Sequence, residues 1–308
     1  MTMTEDTVTA AAVRARRLVP RPLLRDLGRR DDGQGLLFLV AHVLALVVTT
    51  LLLAAADGLW LLPAMVAQGF VLVHLFAPFH EATHGTAFRN RTLNEVVGWV
   101  TGLATLLEPT FFRLEHAAHH AHTQDEVQDP QFIPHSATVR GYLWYATGLP
   151  YWRNVATMLV LHAQGRFTPA EQAFVDPANR PKVQNEARLF LAIYAVIAIG
   201  AVLAGTWAPV TYWLLPMVLA QPWMRLVRMA EHGGCPRVAD MLRNTRTVRA
   251  WAPLRWIAWN MPYHAEHHAL PQIPFHALPR LHGVLGEHLE QLAEGYIDAQ
   301  AQVLRAAH

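Results

Sequence analysis

Among its 308 residues the chain has one cysteine, Cys235, and only 16% are charged. A single thiol excludes a disulfide framework, a cysteine-rich zinc module and a fused rubredoxin-like or iron–sulfur domain. No GxGxxG follows a predicted strand, and no fused haem or flavin module is recognisable, so the chain has no evident route for taking electrons from a nicotinamide cofactor. If the chemistry needs electrons, a separate carrier must bring them. The scarcity of charge is set against 53% hydrophobic residues and a positive mean hydropathy. That balance lies outside the range of soluble domains and points to an integral membrane protein. The formal net charge of +2 is uninformative by itself, and no nucleic-acid partner is expected. No repeat or long low-complexity tract interrupts the reading.

Apolar runs at about 36–56, 59–79, 189–205 and 207–226 each approach or reach the length that crosses a bilayer. The first two are joined by Asp57-Gly58, the last two by a connection without Lys or Arg, so the expectation is four crossings in two helical hairpins. Arg14, Arg16, Arg17, Arg21, Arg25, Arg29 and Arg30 precede the first run. The positive-inside rule then puts both termini and the long connecting segments in the cytoplasm. Residues 1–34 read as a cytoplasmic arm, not a signal peptide. Residues 35–308 read as one membrane domain, with a cytoplasmic cap formed by 80–188 and 227–308.

Within the middle segment, Leu93 to Phe112 is apolar but holds Glu95, Gly98, Gly102, Glu108 and Pro109, which suits an interfacial or re-entrant helix. Val139 to His162, with Trp144, Tyr145, Tyr151 and Trp152, reads as one amphipathic helix at the interface. Thr168-Pro169-Ala170-Glu171 has the form of a capping box and predicts a further cytoplasmic helix before Asp176-Pro177.

The chemistry is carried by histidine. Three clusters, His80-Glu81-Ala82-Thr83-His84, His116-Ala117-Ala118-His119-His120 and His264-Ala265-Glu266-His267-His268, space imidazoles three or four residues apart, on one face of a helix. His232 lies alone just before Gly233-Gly234. An even number of crossings returns every cluster to one membrane face. Nine imidazoles exceed the three or four of a tetrahedral zinc site, so two ions sharing one cage is the simplest account. All-imidazole ligation alone leaves zinc, copper, iron and nickel open. Pro262 and Pro271 bracket a short helix carrying the last cluster. Glu81, Glu115, Glu231 and Glu266 adjoin cluster histidines and, with Asn260, are candidates for orienting the rings, the alternative being solvated polar groups. His42 and His74 read as core residues and His276 and His282 as structural, while His122 stands near the second cluster.

The boxes HxxxH, HxxHH and HxxHH, with two pairs of spans and an extra histidine after the fourth, resemble the membrane fatty acid desaturase and hydroxylase superfamily. The flanks Thr123-Gln124-Asp125, Asp129-Pro130, Asn260-Met261-Pro262-Tyr263 and Pro274-Phe275-His276-Ala277-Leu278-Pro279 look like bacterial members. The resemblance implies an all-α integral membrane fold, four transmembrane helices in two hairpins, with interfacial helices and a cytoplasmic histidine-rich di-metal cap, in a bacterial inner membrane. It implies two irons held by His80, His84, His116, His119, His120, His232, His264, His267 and His268, with O2 as co-substrate. It also implies an acyl or other lipid substrate and a ferredoxin-like carrier with its reductase. Some acyl-CoA members have asparagine one turn before the lone histidine; here that position is Arg228. Iron suits the chemistry, because taking hydrogen from an unactivated C–H bond needs an oxidant that redox-inert zinc cannot make from O2. Desaturation is the first expectation. Hydroxylation of a lipid, carotenoid, alkane or small amino-acid-like compound is the alternative. The HExxH at His80–His84 also matches a zinc metalloprotease, and a histidine-rich metal transporter is the non-enzyme reading. Both leave features unused, respectively two clusters and the position of the clusters outside the spans. Arg243, Arg246 and Arg249 offer a landing surface for an acidic carrier, or a solvated positive-inside face.

Overall fold

The computed structural model describes residues 14–134 and 138–307; the first part of the amino-terminal arm lies outside them. The fold is mostly helical. Helix α1 (Asp32–Ala55) starts at Asp31, whose carboxylate accepts from the backbone N–H of Gly33 at 2.7 Å and of Gln34 at 3.3 Å. After the turn at Asp57-Gly58 come α2 (Leu61–Val73) and α3 (Phe76–His84). Their junction has a local cause. Pro78 has no N–H for the carbonyl of His74, which takes the N–H of Ala77 instead. The Leu75 N–H goes to Leu72, and the Val71 carbonyl is left for His42, whose Nε2 lies 3.0 Å away. His74 is fixed by the Phe70 carbonyl at 2.7 Å and by the indole N–H of Trp223 at 3.4 Å. Both histidines are therefore structural.

Helices α4 (Arg91–Thr105) and α5 (Pro109–His122) form a hairpin that enters the bundle and returns. The Tyr194 hydroxyl and the Trp213 indole hold its tip, donating to the carbonyls of Leu103 and Ala104, each at 2.8 Å. The expected single helix over 139–162 is two, α6 (Val139–Ala146) and α7 (Leu149–Ala163). Gly148 breaks it with φ +73°, and a Cβ there would stand 2.9 Å from the Gln221 side chain. The capping box forms, with Thr168 N–H to Glu171 at 2.6 Å, yet it opens only the short turn Glu171–Ala173. Asp176-Pro177 stops the helix there.

Helix α8 (Arg180–Leu203) leads through a π-turn at Val210–Leu214 into α9 (Leu215–His232). Pro216 cannot donate to the Tyr212 carbonyl, and the amide of Gln68 on α2 does so at 3.1 Å. The same Gln68 accepts from Thr49 at 2.6 Å, which ties α1, α2 and the π-turn together. Gly69 permits the α2–α9 crossing, since a Cβ there would overlap the Pro216 carbonyl at 1.9 Å.

Among the described residues three helical runs are long and apolar enough to cross a membrane: Asp32–Ala55, Gly58–His84 and Arg180–Leu203. Leu44, Leu51, Val202 and Leu203 are among many large apolar side chains left exposed on them. The fourth expected span falls short by composition, because α9 carries Arg225, Arg228 and Glu231 in its second half. Beyond it, a two-residue parallel ladder pairs Thr247–Val248 with Leu292–Ala293. The last cluster lies on α10 (His264–Ala269), backed by a core including Trp259, Leu270, Ile273 and Phe275 and by α11 (Leu278–Leu285). Helix α12 (Tyr296–Ala306) closes the described chain against α9.

Candidate metal centre

Four helices deliver the nine imidazoles to one place: α3 brings His80 and His84, α5 brings His116, His119 and His120, α9 ends on His232, and α10 brings His264, His267 and His268. Eight of them fall into two adjoining groups, and His264 forms a third with His232 and Glu231. The ligating atoms of His80, His84, His116, His120 and His267 lie within 4.8 Å of one another, as do those of His119, His232 and His268. His264 joins the second group through His232, the Nε2 atoms 3.0 Å apart. Stacked rings of His120 and His268, centroids 4.1 Å apart, link the groups.

The nitrogens face each other without the groups that would ordinarily satisfy them. His80 Nε2 is 3.0 Å from that of His84 and 2.7 Å from that of His116, and His120 Nε2 is 3.0 Å from that of His116. Nitrogens about 2.1 Å from a shared ion and at right angles to each other lie roughly 3 Å apart. His119 Nε2, His268 Nε2 and both nitrogens of His267 are buried with no hydrogen-bond partner. Burial pushes His116, His120, His232, His264, His267 and His268 well below the usual histidine range, and neighbouring imidazoles deepen the effect. Neutral rings are the form that ligates metal. The donor set therefore fits two nitrogen-bound metal ions.

Several outer nitrogens are held from behind. Asp129 accepts from His119 Nδ1 at 2.8 Å, leaving Nε2 turned inward. Gln131 Oε1 is 3.2 Å from His116 Nδ1, and the Thr123 hydroxyl is 3.2 Å from His268 Nδ1. Asp129 is itself fixed by the backbone N–H groups of Gln124 and Gln131. Helical spacing cannot find these three residues; the sequence signal is the polar stretch 123–131 that follows the second cluster after two residues.

The acidic neighbours divide. Glu231 faces the cage, 3.7 Å from His264 Nε2 and 3.1 Å from Arg228. Glu115 acts at one remove, bonded at 3.0 Å to the Gln131 amide. Glu81, Glu266 and Asn260 do not bond a cage ring. Glu81 is buried against the Thr86 hydroxyl at 2.7 Å; Glu266 takes Thr247 at 2.5 Å and His282; the Asn260 amide donates to the Phe275 carbonyl at 3.2 Å. These polar groups turn away from the ligating nitrogens and lock the cage helices to their surroundings. His122 and His276 also stay outside both groups.

A second buried histidine was not legible. His162 on α7 is clamped between Glu108 (Nδ1 to Oε2, 3.0 Å) and Glu171 (Nε2 to Oε1, 3.4 Å). Burial opposes its charge, but the two carboxylates outweigh it and raise the group to about 9. Of the three arginines Arg243, Arg246 and Arg249, one is taken up inside the fold and two stay on the surface in ion pairs. Arg246 is buried, giving Nη1 to the carbonyls of Ala230 (2.7 Å) and Gly233 (3.0 Å) at the end of α9. Arg243 and Arg249 pair with Glu290 and Glu294.

The model of the family described as fatty acid desaturase matches residues 59–299. The chain belongs to the fatty acid desaturase family. It is 24% identical to a sphingolipid delta(4)-desaturase of Drosophila melanogaster over 82% of this chain and 75% of that protein. A Synechocystis sn-1 oleoyl-lipid 12-desaturase is 25% identical over 71% of this chain and 66% of its own length. A Bacillus subtilis fatty acid desaturase is 26% identical over 74% and 67%. Membership of this family makes the chain an oxidoreductase with a lipid setting, and the protease and transporter readings fall away.

Proposed function

We propose that this chain is an O2-dependent membrane desaturase that introduces a C=C bond into an acyl chain, with two irons held by the nine histidines. The observation that carries the reading is the convergence of nine buried or half-buried imidazoles into adjoining groups, in a member of this family. Bound iron would supply the oxidising power, drawn from dioxygen, to remove hydrogen from an unactivated C–H bond.

The protein's own part is holding and excluding. Asp129, Gln131 and Thr123 fix the rings of His119, His116 and His268, so the inward nitrogens of these three are aimed before a metal arrives. Phe112 stacks on His116 with centroids 5.0 Å apart, and Phe76 lies 5.7 Å from His80. These rings form an apolar wall against which a methylene chain packs and from which water is excluded. Arg228 balances Glu231 beside the cage.

In this reading residues 207–226, which include the first part of α9, are the fourth crossing, and residues 35–308 act as one membrane domain. The cage, both termini and the segment from Gly85 to Arg188 share the cytoplasmic side of a bacterial inner membrane. With one cysteine, electrons arrive from a ferredoxin-like carrier and its reductase. The test is anaerobic reduction and re-oxygenation of iron-loaded protein with a panel of acyl substrates, read by mass spectrometry. Loss of two hydrogens is the expected result; gain of one oxygen atom would make the enzyme a hydroxylase, and no product from any substrate would contradict the oxidase reading.

A further inference from the structure

A cavity of about 370 Å³ opens beside the cage, between α3, the first turns of α5, α7 and α9. Its inner wall is Phe76 and Phe112, the two rings against His80 and His116. Arg225 of α9 also lines it. The guanidinium lies 4.2 Å from the ring centroid of Tyr151 and 5.6 Å from that of Tyr145, and donates to the Tyr145 hydroxyl at 3.4 Å. With the Gln221 amide turned to satisfy both groups, its oxygen accepts from Nε at 3.1 Å and Nη2 at 3.0 Å. Every one of these partners is neutral.

Among the described residues no carboxylate pairs with Arg225, whereas Arg228, one turn on, is paired with Glu231 at 3.1 Å. The two carboxylates on the cavity wall are engaged elsewhere, Glu108 by His162 and Glu115 by Gln131. A solvated arginine at the end of a span would reach for the headgroups. This one lies against two tyrosine rings and lines a half-open cavity, and with no carboxylate among the described residues within ion-pair distance of it an incoming anion is favoured.

We propose that Arg225 binds the carboxylate of the substrate itself, so that the enzyme takes a free, medium-sized aliphatic acid whose chain runs from Arg225 to the cage. The inference rests on the oxidase reading above and names its substrate class. A cavity of about 370 Å³ is at the small end of ligand sites and suits a medium-sized aliphatic chain. Arg225 and His232 are seven residues apart on α9, about 10 Å along the helix axis. The carbon presented to the cage is therefore several bonds from the carboxylate.

The test is calorimetric binding to the iron-loaded full chain in lipid nanodiscs, with decanoate, methyl decanoate and decanoyl-CoA as probes. Decanoate should bind at least about tenfold more tightly than its methyl ester. Arg225→Gln should reduce that preference to within about twofold while leaving ester binding and iron content unchanged. Equal binding of acid and ester by the unaltered protein overturns the proposal and needs no variant. So does an Arg225→Gln protein that keeps the preference, or tight binding of the CoA thioester without binding of the acid. Binding is read apart from turnover. Lost acid preference with a double bond still formed removes this inference alone, and acid-selective binding without oxidised product removes the oxidase reading alone.

Discussion

The cage and the His162 cluster are both built from buried imidazoles, yet they treat a proton in opposite ways. In the cage, rings face other rings, and burial with mutual repulsion keeps at least six of them neutral. At His162 two carboxylates within 3.4 Å reverse the balance, and the ring stays charged to about pH 9. Neighbours, more than burial, decide whether a histidine serves as a ligand or as a charged strut. Glu108 precedes α5, so the strut braces the start of that helix, two turns before its first cage histidine, His116.

The largest effect separates the two sites by metal. His119→Ala or His267→Ala should abolish turnover and lower bound iron, with the protein still inserted in the membrane, as read by metal analysis and membrane extraction. His162→Leu should do the reverse. It strands two buried carboxylates, costs about 3 kcal/mol of stability and leaves iron per folded chain unchanged, as measured by thermal unfolding alongside metal analysis. Iron loss in His162→Leu at full folding would erase the distinction.

A smaller effect tests the hold on His119. Asp129→Asn keeps shape but weakens the acceptor at Nδ1, and iron affinity should fall roughly 10- to 100-fold by chelator competition. An unchanged affinity would make Asp129 a turn residue only.

The pH dependence sharpens the same contrast. The folded chain raises His162 to about 9, so its contribution is present below about pH 6.5 and is lost as pH rises through about 9, roughly 3 kcal/mol in all. The cage histidines are lowered, so in chelator-treated protein the unfolded chain takes up protons below about pH 6.5 that the fold does not, and stability falls as pH drops. Unfolding scans from pH 5 to pH 10 should show both flanks, with the alkaline one reduced in His162→Gln. An alkaline flank identical in that variant would assign it to other groups.

What was legible in the sequence followed from periodicity and apolar length. Eight of the nine histidines announce themselves by spacing, His232 only by its place after the fourth apolar run, and α1, α2 and α8 by their hydrophobic runs. Illegible parts depend on partners distant in the chain. Nothing near His162 in sequence names Glu108, fifty-four positions away. Arg246 reads as a surface cation until the end of α9 is placed over it. The break at Gly148 reflects how closely Gln221 approaches, and the π-turn before Pro216 is stabilised by Gln68 on another helix. Glu81 and Glu266 turn to partners that sequence adjacency does not name, Thr86 for the first and Thr247 with His282 for the second, whereas Glu231, equally adjacent to a ligand, faces the cage.

The central claim, that the nine imidazoles form one cage for two irons, is tested most directly by metal analysis of the purified full chain by mass spectrometry, with His162→Leu and His267→Ala beside it. The account predicts about two irons per chain in the unaltered protein and in His162→Leu, and a clear loss in His267→Ala. A single zinc per chain, or iron unaffected by His267→Ala, would contradict it.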